Sequence, residues 1–282
     1  MSSAFDAFGS GTGAYGYVVV EGSGGNVAVL CRNINDYPTA IIEMVYRGFN
    51  SNEAAQELVV PVVYNMHSQW ESGIMVVNMS GEATNVTMTY YEDSQYYGGG
   101  TYTVVKPLGA NQSVDFTLRY TAGLPQPSFG SAKFTSSNSN ARILAIANSV
   151  TYPASGSTGF SGPALNPTLA TARAAAPVSF NRGMSDLYNW NTGIGVYCVG
   201  AGGTVTTRWV RAGSNPTVTY TEQKTCAANA ITTFWGPALT NVPADFDGAV
   251  FIEAAQPIMA LVNTTLYSQG ISCQMPAYNY TP

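Results

Sequence analysis

The residue types that most often carry catalysis are scattered in this sequence. Its one histidine, His67, has no repeated serine or aspartate beside it that would suggest a catalytic triad. The acidic residues form no convincing pair, and no loop has the closely spaced oxygen ligands of a Dx[DN]xDG calcium site. The glycine clusters at 9–13, 22–25 and 98–100 lack the helix and Lys-Ser/Thr pair of a phosphate-binding loop. We therefore predict no catalytic residue, cofactor or metal site, and expect that the protein is not an enzyme.

The composition indicates a β-rich protein with an unusually uncharged surface. Charged residues make up 10% of the chain and the net charge is −5, whereas an average soluble protein has roughly 25% charged residues. No basic patch predicts nucleic-acid binding, and no apolar run approaches the ~18 residues of a membrane span. The opening "MSSAFDAFGSGTG" does not have the pattern of a signal peptide, so we expect an exported form to have a leader outside this sequence or to be part of a longer chain.

The sequence repeats itself. "HSQWESGIMVVNM" at 67–79 is echoed by "YNWNTGIGVYCVG" at 188–200, and "ILAIANSVTY" at 143–152 by "IMALVNTTLY" at 258–267. Further matches occur in the same order, so two repeats span 59–152 and 175–267. A third, incomplete copy opens the chain and places Asn33, Asn148 and Asn263 at one equivalent position.

Each full repeat divides into short alternating runs separated by turn residues. In the first repeat the runs are 59–64, 73–78, 84–91, 101–106, 113–118, 129–135 and 142–149. Seven short strands at this spacing predict an all-β, antiparallel, seven-stranded β-sandwich. The opening copy holds the last three strands, at 2–8, 16–21 and 26–33. The predicted division is an incomplete repeat (1–48), a full repeat (49–160), a linker (161–176), a full repeat (177–270) and a tail (271–282).

The repeated tryptophans, Trp70 and Trp190, are predicted to lie in the cores of the two repeats with Ile74 and Ile194, because large aromatic side chains dominate core packing. An aromatic platform for sugar is the alternative.

The four cysteines are Cys31, Cys198, Cys226 and Cys273. They form no CxxC pair, and their even number fits an oxidising compartment, although four free buried thiols are an alternative. Because Cys198 and Cys226 both lie in the second repeat, we predict a disulfide between them. Cys31 and Cys273 could join two subunits, or Cys31 could be a core residue.

Five Asn-x-Ser/Thr sequons could carry glycans in a secreted chain. Chance occurrence in a sequence rich in Thr and Asn is the alternative. The sequons begin at Asn78, Asn85, Asn111, Asn263 and Asn279.

The recurring pattern resembles tandem immunoglobulin-like repeats of secreted bacterial cell-surface and fibre proteins. The residues that carry it in the first repeat are Trp70, Ser72, Gly73, Ile74, Val86, Tyr90, Phe129, Gly130 and Asn148. Those in the second are Trp190, Thr192, Gly193, Ile194, Phe246, Gly248 and Asn263. The resemblance implies an exported, multi-repeat surface or fibre protein, and it implies no catalytic residue.

Two functions follow as expectations. The first is an extracellular structural protein whose copies assemble head to tail into a filament, sheath or surface layer, because three strands of the opening repeat cannot bury a core alone. The second is an adhesion or carbohydrate-binding module on a stalk, with the tyrosine-rich stretch 89–102 as its binding surface. A fragment of a longer chain is a third possibility, in which the incomplete repeat has no meaning.

Overall fold

A computed structural model describes residues 18, 20, 29–37, 40–151, 158–183, 189–214, 217–266 and 271–279. In these ranges the chain is all-β: every sheet is antiparallel, and the only helices are 3₁₀ turns of three residues. None of the helices found there has the length and apolar character needed to cross a membrane.

The first described element is a hairpin that forms a two-stranded sheet by itself. Its strands are β1 (Leu30–Tyr37) and β2 (Ala40–Arg47). The predicted strand at 26–33 overlaps the start of β1. The predicted strands at 2–8 and 16–21 lie outside the described residues, except for Val18 and Val20.

The first full repeat, called module 1 below, forms an eight-stranded sheet in the order β10-β9-β4-β3-β8-β5-β6, with β7 beside β4. β3 and β4 pair only at their shared end, Asn65 with Glu71 and His67 with Trp70, so the sheet folds over there and its two halves enclose one core. The strands are β3 (Glu57–His67), β4 (Trp70–Asn78), β5 (Thr84–Glu92), β6 (Thr101–Leu108), β7 (Ser113–Thr117), β8 (Ser128–Ser136), β9 (Ile143–Thr151) and β10 (Thr158–Pro163).

The second full repeat, module 2, has the same connections. Its sheet runs β14-β13-β16-β11-β12-β15, with β17 beside β16 and β18 beside β11. The strands are β11 (Thr171–Gly183), β12 (Trp190–Cys198), β13 (Gly203–Arg211), β14 (Thr219–Cys226), β15 (Ile231–Trp235), β16 (Phe246–Leu266), β17 (Ile271–Pro276) and β18 (Tyr278–Asn279). β16 is one strand where module 1 has β8 and β9, because the "SSNSN" loop at 136–140 of module 1 has a shorter counterpart here.

Alternating burial along the strands explains both cores. In β5 the side chains of Val86, Met88 and Tyr90 are fully buried while the intervening residues are more exposed, as expected for a strand with one wet face. β6 and β14 have the same alternating pattern of burial.

The seven predicted strands of the first repeat coincide with β3 to β9 to within a few residues.

The predicted linker 161–176 and the predicted tail 271–282 both contain strands. The second half of β10 and the first half of β11 lie inside the predicted linker, and β17 and β18 lie inside the predicted tail. β10 pairs with β9, and β17 pairs with β16. Each module therefore has an additional strand after the seven that alternation predicts. β10 was missed because it is short and rich in Gly, Ser and Pro.

The connection that enters each module is also repeated. Asn50 and Asn166 each cap a 3₁₀ turn, accepting a hydrogen bond from the backbone N–H of Asn52 and Thr168 respectively. In module 1, Leu165 pairs with Val59; in module 2, Tyr278 pairs with Ala175, its equivalent. The junctions are therefore ordered parts of the repeat.

Candidate functional site

The repeated Trp-x-[Ser/Thr]-Gly-Ile motif has a structural role. The Ser72 hydroxyl accepts a hydrogen bond from the backbone N–H of Tyr64 (2.9 Å) and bonds to the Ser149 hydroxyl (2.7 Å). Thr192 accepts in the same way from Phe180 (2.8 Å). The hydroxyl satisfies the backbone N–H at the point where the first two strands of a module part from each other.

The two tryptophans differ in burial. Trp70 is buried as predicted, between Tyr64 and Phe160, with ring centroids 5.7 and 5.0 Å away. Trp190 is only half-buried and contacts Phe180 at 6.0 Å, so its prediction as a core residue was only partly right. The strand register gives the reason. Phe160, which packs on Trp70, pairs with Ser149 in module 1, whereas the residue that pairs with the equivalent Thr264 in module 2 is the smaller Cys273. The predicted core isoleucines Ile74 and Ile194 are both buried.

The predicted disulfide between Cys198 and Cys226 is present, in the core of module 2. It joins the ends of β12 and β14. In module 1 the amide of Asn78 joins the equivalent ends, donating hydrogen bonds to the carbonyls of Glu82 (2.7 Å) and Gly109 (3.0 Å). Cys31 is half-buried and Cys273 exposed, and both are free thiols in the single chain.

Two of the five candidate sequons begin at an asparagine that is buried in the folded chain. Asn78 is fully buried, and Asn263 is 7% exposed. The side-chain amide of Asn263 donates to Tyr64, and its carbonyl accepts from Gln274. A glycan would break these bonds and has no space in the folded chain. Asn85, Asn111 and Asn279 are exposed.

An apolar contact joins the two modules. We call Val59, Pro61, Val62 and Tyr64 of β3 the β3 face. Val59, Val62 and Tyr64 pack on the receiving face of module 2, which consists of Gly195, Tyr197, Ile231, Met259, Leu261 and Asn263.

Glycine is required at the centre of this contact. A Cβ on Gly195 would lie 2.0 Å from a methyl carbon of Val62, which is far inside van der Waals distance. Gly195 pairs with Leu261 across the sheet. Val62 is 4% exposed and Leu261 is fully buried. The interface is therefore packed as closely as a core.

Polar groups border this interface. Gln95 donates to the Thr232 hydroxyl and accepts from the Lys224 ammonium (3.3 Å). At the opposite end the hydroxyls of Thr158 and Ser272 are 2.9 Å apart, which brings β10 beside β17. In the same way β2 lies beside β10. Equivalent strands of three successive repeats are thus adjacent.

An aromatic cluster lies at the fold between β3 and β4. His67 contacts the rings of Tyr96, Tyr97 and Phe129, and its Nδ1 lies 2.6 Å from the Tyr97 hydroxyl. Burial lowers the pKa of His67, so the neutral imidazole is favoured. Tyr96 is 52% exposed and is the part of the cluster open to solvent.

Asp93 supports the loop that carries these tyrosines. Its carboxylate is buried and accepts hydrogen bonds from the backbone N–H of Gln95 (2.7 Å) and Tyr96 (3.0 Å). Burial raises the pKa of Asp93, and the hydrogen bonds from Gln95 and Tyr96, followed by the charge of Lys224, oppose that rise. The loop conformation thus depends on a carboxylate at the boundary of the two modules.

Within the described ranges, no group of three or more His, Cys, Asp and Glu side chains could hold a metal ion. A cavity of about 170 Å³ lies near the end of module 2, and its lining includes Leu169, Met259 and Pro276. The lining is mainly apolar and contains no acidic or basic side chain.

Sequence reasoning missed two pairs of equivalent polar residues. Lys106 and Lys224 each donate to a backbone carbonyl at 2.6 Å and lie over a core phenylalanine ring. Asn65 and Asn181 each donate to the backbone near an equivalent proline, Pro125 or Pro243. Their recurrence in matching positions of the repeats was a signal that could have identified them.

Comparison with known proteins gives little. No family model matches the chain, and no curated protein does. Among solved structures, the crystal structure of Thermotoga maritima 1070 matches with a TM-score of 0.32 and 10% identity, over 39% of this chain and 92% of that chain. We draw nothing about fold family or function from a similarity of this size.

Proposed function

We propose that this chain is an extracellular structural protein, a subunit that assembles head to tail into a filament, sheath or surface layer. The observation that carries the proposal is the contact between modules, where the β3 face is buried on module 2 as closely as a core. β2, β10 and β17 lie side by side in sequence order, so successive repeats stack in one direction. A stack of this kind has no intrinsic end.

The modules are proposed to be immunoglobulin-like β-sandwiches. The support is that β3, β5, β6 and β8 form one half of the module 1 sheet, and β4, β7, β9 and β10 form the other, joined at the β3–β4 fold. Low charge and a disulfide fit an exported protein that must endure outside the cell. Glycans at the exposed sequons and a Cys31–Cys273 bond between subunits are part of the same proposal.

The test is whether the purified chain assembles. Negative-stain electron microscopy and sedimentation over a rising concentration series are expected to show filaments. Their axial spacing should equal the length of one folded subunit. A chain that stays monomeric at high concentration, under oxidising and reducing conditions alike, would contradict the proposal.

The second candidate is carbohydrate binding by the aromatic cluster, favoured by the half-exposed Tyr96 ring beside His67 and Phe129. Aromatic rings are common platforms for apolar sugar faces. Titration with a panel of oligosaccharides, followed by nuclear magnetic resonance, would show shifts around Tyr96. The variant Tyr96→Ala should abolish those shifts, while Tyr120→Ala, which removes another exposed tyrosine on the same module, should leave them unchanged.

A further inference from the structure

Module 1 contacts module 2 through the β3 face. Module 2 has an equivalent surface on β11, and that surface is exposed to solvent. The equivalents of Val59, Val62 and Tyr64 on β11 are Ala175, Val178 and Phe180. Val62 is 4% exposed, whereas Val178 is 49% exposed. Pro61 is buried and its equivalent Pro177 is exposed. We call Ala175, Pro177, Val178 and Phe180 the β11 face.

The open surface extends beyond β11. Leu165 of module 1 packs beside Val59 and Tyr197 in the interface, whereas its equivalent Tyr278 is 60% exposed. Leu169, whose carbonyl accepts from Asn279, is 64% exposed. Contiguous apolar side chains in water mark a site of contact with another protein.

We propose that the β11 face binds the β1–β2 hairpin of a second copy of this chain, repeating the contact that the β3 face makes with module 2. The inference rests on the proposed function, which it deepens by naming both surfaces of the subunit contact. The contact is heterologous, because one copy contributes its β11 face and the next its hairpin. It therefore leaves one surface of each kind free at the two ends and propagates.

The hairpin is the proposed partner because it is equivalent to part of the receiving face. β1 and β2 correspond to the second half of β16 and to β17, both being antiparallel hairpins. Asn33 corresponds to Asn263, which places Cys31 at the position of Leu261. The hairpin already lies on module 1 as module 1 lies on module 2, since β2 is beside β10.

The residues of the hairpin segment that match the receiving face are Val29, Cys31 and Asn33, the equivalents of Met259, Leu261 and Asn263. Val29 and Cys31 are half-buried, whereas Met259 and Leu261 are buried against module 1. Covering this face is favoured by about 25 cal/mol per Å² of apolar surface removed from water.

The proposed contact predicts one close pair of residues between copies. Val62 lies over Gly195, and Gly195 pairs with Leu261. By equivalence, Val178 of one copy should lie near Cys31 of the next. We would replace Cys273 by serine, introduce Val178→Cys, and oxidise with oxidised glutathione. Peptide mapping is expected to find a disulfide between residue 178 of one copy and Cys31 of another, and the additional change Cys31→Ser should abolish it.

Assembly gives the second measurement. Val178→Asp should weaken self-association by about tenfold or more, as expected for an unpaired charge at the centre of an interface. Val105→Asp is the matched control, because Val105 is 56% exposed on β6, away from β11, and it should assemble normally. Circular dichroism would establish that both variants are folded, and the milder cysteine variant provides a result if the aspartate variant is not.

The possible results separate this contact from the proposed function. If filaments form but the 178–31 disulfide is absent, or if Val178→Asp assembles like the unmodified chain, the contact is refuted while the structural function stands. If the disulfide forms only in closed dimers and filaments never appear, the contact stands and the filament is refuted.

Discussion

At the scale of single residues, the turn between β3 and β4 combines a partly buried histidine with unusual backbone geometry. Met66, Ser68 and Gln69 have positive φ angles of 61°, 49° and 69°, a region that non-glycine residues seldom occupy. His67 lies between them, held by the Tyr97 hydroxyl and three aromatic rings. The side-chain packing of His67 therefore stabilises a costly turn.

Replacing His67 by phenylalanine should change how stability depends on pH. Because the pKa of His67 is lowered in the folded chain, the unfolded chain binds a proton more readily at mildly acidic pH. The stability that neutral His67 provides is therefore full above its unfolded pKa, about 6.5, and is lost as pH falls below that value towards the folded pKa. Urea unfolding between pH 5 and 8 should show this loss in the unmodified chain and a smaller one in His67→Phe. Identical dependence of stability on pH in the unmodified chain and in His67→Phe would contradict this prediction.

Gly195→Ala should destabilise the folded chain by about 1–3 kcal/mol, because its Cβ would overlap Val62. Gly81→Ala is the control, since a Cβ there meets nothing within 4 Å. Adding Val62→Ala should make the effect of Gly195→Ala smaller, because the overlapping methyl groups are gone. A double-mutant cycle by chemical denaturation measures this coupling, and additive effects would show that the two residues are not in contact.

At the scale of elements, the two modules secure the same strand ends by different chemistry. Module 2 uses the Cys198–Cys226 disulfide to join β12 to β14, and module 1 uses the hydrogen bonds of Asn78 to join β4 to the end of β6. A covalent link restricts the unfolded chain, whereas an amide stabilises only the folded one. The disulfide therefore gives module 2 a type of stabilisation that Asn78 cannot give module 1.

Removing the disulfide should lower the free energy of unfolding by roughly 3–4 kcal/mol, the loop-closure entropy for a separation of 28 residues. The variant is Cys198→Ser with Cys226→Ser, measured by guanidinium denaturation. Cys273→Ser serves as the control because Cys273 is exposed and free, and it should change stability by less than about 0.5 kcal/mol. Equal stability of all three proteins would contradict a stabilising role for the bond.

At the scale of the whole molecule, the modules should behave as one unfolding unit. Val62 of the β3 face belongs to the same buried cluster as Ile231 and Leu261 of module 2, so neither module can unfold without exposing apolar surface of the other. Shared surface of this kind couples the stabilities of neighbouring repeats.

Val62→Asp should uncouple the modules, because a charge would be buried without a partner at their interface. Calorimetry is expected to show one transition for the unmodified chain and two for Val62→Asp, with the lower one well below the original midpoint. Val105→Asp, which changes an exposed valine of module 1, should keep the single transition. A single transition in Val62→Asp at an unchanged temperature would show that the modules are independent.

The sequence by itself determined the strands and their repetition. The alternation of apolar and polar residues along β5 requires one buried face and one solvent-exposed face. The second copy of each motif places equivalent residues, such as Ser72 and Thr192, in equivalent hydrogen bonds. The sequence also predicted the disulfide, since both cysteines lie in one repeat, and the structure contains that bond. Short strands such as β10 escaped prediction because six residues containing two glycines and a proline have too weak an alternation to indicate a strand.

Only the tertiary structure decided which faces are covered. "PVVYN" and "PVSFN" look alike in sequence, yet Val62 is buried and Val178 is half-exposed. The burial of Asn263, which excludes it as a glycan site, comes from its contact with Tyr64 of the other module. Periodicity assigns a residue to one face of a strand, but whether that face meets water or another module depends on packing between residues far apart in the chain.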